Sequence, residues 1–143
     1  VRSPAEPESF RLVIPSQTRY LNLVTGLAKR ASIVAGMDDA TSAKISIAVD
    51  EAVTNVIVHA YGGEADHLVD IELRFLASAL EVHICHTGRA IRDNEVVLPD
   101  PREYVKHPRK GGLGLLLMSR FMDEIHFIET GEGSECCMIK HVV

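Results

Sequence analysis

The apolar residues of this chain change period several times, and each change marks an element. Phe10, Leu12 and Ile14 alternate with polar or smaller residues, the period of a half-buried strand, and Pro15 ends the run. From Gln17 to Ala35 the positions Leu21, Val24, Leu27, Ala28 and Ala31 recur at helical spacing, and Gly36 is placed to stop that helix. Asp38 and Asp39 suit the start of a second helix. Its apolar stripe is Ile45, Val49, Ala52, Val53, Val56 and Ala60, closed by Tyr61-Gly62-Gly63. Val69, Ile71, Leu73 and Phe75 alternate with Asp70, Glu72 and Arg74. Leu80, Val82 and Ile84 repeat the pattern after a turn near Ala77-Ser78. Leu113, Leu116, Leu117 and Phe121 mark a third helix. Ile125 to Thr130 and Glu135 to Val143 read as two last strands joined by the Gly131-Glu132-Gly133 turn. Residues 87–111 differ: Gly88, Pro99, Pro101, Pro108 and Gly111 interrupt a charged stretch of little periodicity. A loop of that length in a compact domain is more often a functional lid than idle chain.

This order predicts an α+β fold, a two-layer sandwich with helices on one face of a mostly antiparallel sheet. Residues 1–8, with two prolines and three charges, read as a flexible tail, and residues 9–143 as one domain with its lid at about 89–113.

Composition narrows the classes. A chain of 143 residues bounds the expectation to one domain with one core. With 15 basic against 20 acidic residues, it lacks the basic excess of a nucleic-acid binder. No apolar run is long enough for a membrane span, and Val1 to Phe10 lacks the apolar core of a signal peptide. A chain starting at Val1 rather than Met leaves room for a larger parent protein. Cys85 stands alone and Cys136 and Cys137 are adjacent, which fits neither a disulfide framework nor a zinc spacing. A reducing cytoplasm is the expected compartment.

Three segments carry candidate chemistry. Glu51, Asn55 and His59 are spaced i, i+4, i+8 and share a helical stripe. A carboxylate there can accept a proton, and the Asn oxygen suits Mg²⁺. The bland alternative is a solvated polar face. Arg109-Lys110-Gly111-Gly112-Leu113-Gly114 opens an apolar helix, so backbone N–H groups and the helix N-terminus can meet phosphate, with Arg109 and Lys110 on its terminal oxygens. The bland alternative is a loop end with a helix cap. His86-Thr87-Gly88 ends a strand, where Gly88 permits a tight turn or a ligand's approach and Thr87 can donate a hydrogen bond.

In this order the segments resemble the GHKL ATPase/kinase superfamily, and within it the anti-sigma factor serine/threonine kinases. Asp50-Glu51-Ala52-Val53-Thr54-Asn55 through His59-Ala60-Tyr61 is similar to the N box. Gly111-Gly112-Leu113-Gly114-Leu115 with the following helix is similar to the second glycine box. The resemblance implies a Bergerat (histidine-kinase-like ATPase) fold with a mixed sheet, and Mg-ATP or Mg-ADP held between the N-box helix and the lid. It implies Glu51 as general base, Asn55 as Mg²⁺ ligand and His59 in support. Gly112 and Gly114 would line the phosphates, and Arg109 or Lys110 would meet the γ-phosphate. The implied substrate is a serine or threonine of a STAS-fold anti-anti-sigma partner, the implied second partner a sigma factor, and the implied assembly a homodimer. Such phosphoryl transfer is mostly positioning and charge neutralisation.

One departure matters. The family's first glycine box begins with an Asp that accepts a hydrogen bond from the adenine amino group, and this chain has His86 there, followed by Thr87 and Gly88. Imidazole accepts only when neutral. Loss of the contact would cost about 1–3 kcal/mol of binding. The sequence therefore supports two readings: an active kinase and anti-sigma factor, or a non-catalytic relative that binds partners with weak or no ATP binding. The other residues have plain readings. His83, His107, His126 and His141 are scattered surface or strand-face residues, Met118 and Met122 are core filler, and Cys85 is a small buried hydrophobe.

Overall fold

A computed structural model describes residues 6–89 and 112–143. The expected tail and lid, residues 1–5 and 90–111, lie outside the described residues, while Glu8 already belongs to the first strand and residues 112 and 113 to the third helix. The strands are β1 (Glu8–Pro15), β2 (Leu68–Phe75), β3 (Ala79–His86), β4 (Glu124–Thr130) and β5 (Gly133–His141). The helices are α1 (Leu21–Val34), α2 (Asp39–Asn55) and α3 (Gly112–Phe121). The sheet runs β1-β2-β3-β5-β4, and every pairing among the described residues is antiparallel. The expected mostly antiparallel sheet is thus antiparallel at every described pairing: β2–β3 and β4–β5 are hairpins, while β1 lies beside β2 across the two intervening helices and β5 lies between β3 and β4.

Local chemistry sets the element ends. Gly36 takes φ +100° after α1, a conformation that costs glycine little. Asp38 accepts a hydrogen bond from the Thr41 amide at 2.8 Å, a helix cap worth about 1 kcal/mol. Helix α2 continues as one π turn over Val56–Ala60, where the Tyr61 amide donates to the Val56 carbonyl five residues back at 2.9 Å. Such a turn interrupts the regular helical phase.

Alternation divides the sheet into two faces. On one, Ile14, Val69, Ile71, Leu73, Val82, Ile84 and Met138 are buried against α1, α2 and α3. Removing each large side chain from water contributes about 1.5–3 kcal/mol. The other face has no helix over it among the described residues, and it carries charge. Arg11 pairs with Asp70, and Arg74 Nε reaches Glu72 at 2.9 Å.

Candidate functional site

Helix α3 packs along α2, and the contact is spaced helix-fashion on both. Gly114 faces Glu51, and Met118, four residues on, faces Asn55, four residues on from Glu51. Such i, i+4 matching means the two helices run in the same sense where they touch. A Cβ added at Gly114 would stand 2.5 Å from Glu51 Oε2. Only glycine lets the start of α3 sit on that carboxylate, and any side chain there would push the carboxylate aside. Glu51 is half-buried, and that burial, with a smaller contribution from Asp50, raises its pKa above the ordinary carboxylate value. A raised pKa makes Glu51 a stronger base. The Asn55 amide nitrogen lies 3.9 Å from Met118 Sδ, so the amide oxygen is the atom left for a hard cation.

His86 closes the far end of this space from β3. It is only 7% exposed, and burial lowers its pKa below the usual histidine value, so the ring is neutral at pH 7. Its Nδ1 is buried without a hydrogen-bond partner among the described residues. The Tyr61 ring stands edge-on to it, with centroids 5.9 Å apart. Tyr61 also fixes the strand exit: its hydroxyl donates to the Leu68 carbonyl at 2.6 Å and accepts from the Thr87 amide at 3.0 Å.

Gly88 is held in close packing. Its Cβ would meet the Ala60 carbonyl oxygen at 2.5 Å, while the neighbouring Arg89 amide donates to that same oxygen at 2.9 Å. Gly133 is a second close approach, since a Cβ there would lie 2.2 Å from the His86 carbonyl oxygen. Between Ala52, Asn55, His86 and Met118 a cavity of about 10 Å³ remains, room for a single water. A concavity of about 740 Å³ opens on the other side of the sheet, beside Arg11, Asp70, Cys85 and the Thr130–Gly133 turn. Most of its lining lies across the sheet from Glu51 and Asn55, and it reaches His86 and Thr87 at the strand exit.

The structure therefore brings together Glu51, Asn55, His86 and Gly114. Thr87 and Gly88 follow His86 at the strand exit, and Gly112 begins α3. His59 is exposed, because the π turn takes it off the line of Glu51 and Asn55. Arg109 and Lys110 lie outside the described residues. Sequence reasoning passed over Tyr61 and Met118 as site neighbours. The signal for Met118 was its four-residue spacing from Gly114, matching that of Glu51 and Asn55.

Comparison with known proteins shows the family. The histidine kinase-like ATPase domain family matches residues 14–140. The chain belongs to that family, in the group that includes the anti-sigma factor serine-protein kinases. It is 30% identical over 143 residues to the serine-protein kinase RsbW of Listeria monocytogenes, covering 94% of this chain and 88% of that protein. It is 31% identical over 128 residues to the anti-sigma F factor of Halalkalibacterium halodurans, covering 89% and 86%. A Mycobacterium tuberculosis structure containing RsbU and RsbW domains superposes with a TM-score of 0.65 at 12% identity. That match covers 93% of this chain and 31% of the other, and it supports the fold.

Proposed function

We propose that this protein binds Mg-ATP between α2 and α3 and transfers the γ-phosphoryl group to a serine or threonine of a STAS-fold anti-anti-sigma partner. In its other state it holds a sigma factor. The observation that carries the reading is the placement of Gly114 on Glu51 and of Met118 beside Asn55. It puts the start of a helix, where backbone N–H groups favour anions, directly over a carboxylate of raised pKa.

The residues present suit the nucleotide. His86 Nδ1 is a buried atom in want of a partner, and a neutral ring can accept a hydrogen bond from an adenine amino group. Thr87 adds a hydroxyl beside it. Gly112 and Gly114 leave backbone exposed to phosphate, and Asn55 offers an oxygen to Mg²⁺. Bound Mg-ATP supplies the phosphoryl group and neutralises charge developing on it. Glu51 takes the proton from the acceptor hydroxyl, and its partial burial keeps bulk water from competing for that proton. His59, Arg109 and Lys110 remain proposed supporting contacts, as does Gly88 through the position it gives Thr87.

A non-catalytic partner-binding role is favoured by one observation, the histidine at the position of the family's Asp. Transfer of label from ATP to a purified anti-anti-sigma protein decides between them. The kinase reading expects label on the partner with the unaltered chain and none with Glu51→Ala. Binding of the partner without label transfer would support the second reading.

A further inference from the structure

The open face of the sheet, away from the nucleotide groups, holds a second cluster. Glu81 and His83 are two apart on β3 and so share that face. The register places Cys137 of β5 directly across from His83. His83 Nε2 lies 3.0 Å from Glu81 Oε1 and 3.8 Å from Cys137 Sγ. Its other nitrogen, Nδ1, is hydrogen-bonded to Glu135 Oε1. His83 and Cys137 are both buried although no helix among the described residues covers them.

We propose that this cluster is a binding site for one zinc-type divalent ion, with Cys137 Sγ, His83 Nε2 and a Glu81 carboxylate oxygen as ligands. Thiolate, imidazole and carboxylate are the zinc donor set. The three donor atoms lie within 4.8 Å of one another. Tetrahedral bonds of about 2.0–2.3 Å hold ligand atoms roughly 3.3–3.6 Å apart, so the two edges at His83 need to change by only a few tenths of an ångström, and the Glu81–Cys137 edge closes from within 4.8 Å. Glu135 on Nδ1 is the outer carboxylate that orients a metal-bound histidine. Charge also balances: a thiolate and a carboxylate neutralise the dication, and the ion replaces the protons on His83 Nε2 and Cys137 Sγ, which pass to solvent. Water fills the fourth position.

Cobalt(II), a spectroscopic stand-in for zinc, tests the site when titrated into the reduced, metal-free full chain. The expected result is a thiolate-to-cobalt charge-transfer band that saturates at one ion per chain and is displaced by zinc. The band disappears in Cys137→Ser, and Glu135→Gln, which keeps all three ligands, weakens zinc by about 10–100-fold. A second arm uses the unaltered protein alone: zinc protects one of its three thiols from alkylation, and peptide mass analysis identifies it as Cys137. Absence of the band in the unaltered chain, its survival in Cys137→Ser, or protection of Cys85 or Cys136 instead would overturn the proposal.

Discussion

His83 and His86 stand three residues apart on one strand, each 7% exposed, and their rings are driven in opposite directions. His83 faces the open side, where the Cys137 sulfur first, and then the Glu81 and Glu135 carboxylates, raise its pKa to about 9 against the opposing effect of burial. His86 faces the helices, where burial is the cause and its pKa falls. Equal burial does not mean equal charge; the partners decide. One side of the sheet keeps an imidazolium in a ring of acceptors. The other keeps a neutral imidazole whose Nδ1 has no hydrogen-bond partner among the described residues, which suits the proposed acceptor role.

The comparison breaks most visibly if the two faces share one function. Glu51→Gln removes the proposed base on the helix side and is expected to slow phosphoryl transfer by about 10²–10⁴-fold. His83→Gln, on the other face, is expected to leave the transfer rate unchanged, and single-turnover kinetics on both variants checks this. A smaller loss is expected from Gly114→Ala. The new Cβ displaces a flexible carboxylate rather than backbone, so activity falls by about 10²-fold through misplacement of Glu51 while the melting temperature holds. Gly88→Ala reverses that pattern. Its Cβ meets the Ala60 backbone, and the expected cost is about 1–3 kcal/mol of stability in urea denaturation.

The smallest effects come from pH, and their signs differ between the histidines. His86 has a folded pKa below its unfolded value, so its contribution to stability is present above about pH 6.5 and is lost as the pH falls through the folded value. His83 has the raised value, so in zinc-free protein its contribution is full below about pH 6.5 and is lost as the pH rises through about 9. Urea titrations of His86→Gln and His83→Gln at several pH values check both slopes. Equal slopes would mean that burial alone sets the two rings.

Much of this was legible in the sequence. Strand alternation and the Ile45-to-Ala60 stripe set out the core and the order of elements, and Asp38 marked the start of α2 as a cap. The resemblance of the two boxes supplied Glu51, Asn55 and Gly114, which the fold places together. Sequence spacing alone could not show the π turn that puts His59 in solvent, because Val56, Ile57 and Ala60 suit either helical phase. Nor could it show the cluster around His83, since strand register is a property of the folded sheet. Cys85, read as a buried hydrophobe, lies half-buried on the open face, its thiol pushed up to about 11 by burial and by Glu135. His83, read as a scattered histidine, is the centre of that face's polar network.

Calorimetric titration of Mg-ATP into the unaltered chain, beside Asn55→Ala and His86→Asp, tests the central claim most directly. The account predicts micromolar binding by the unaltered chain, weakened in Asn55→Ala and kept or strengthened in His86→Asp. No binding by the unaltered chain or by His86→Asp would contradict a nucleotide site between α2 and α3.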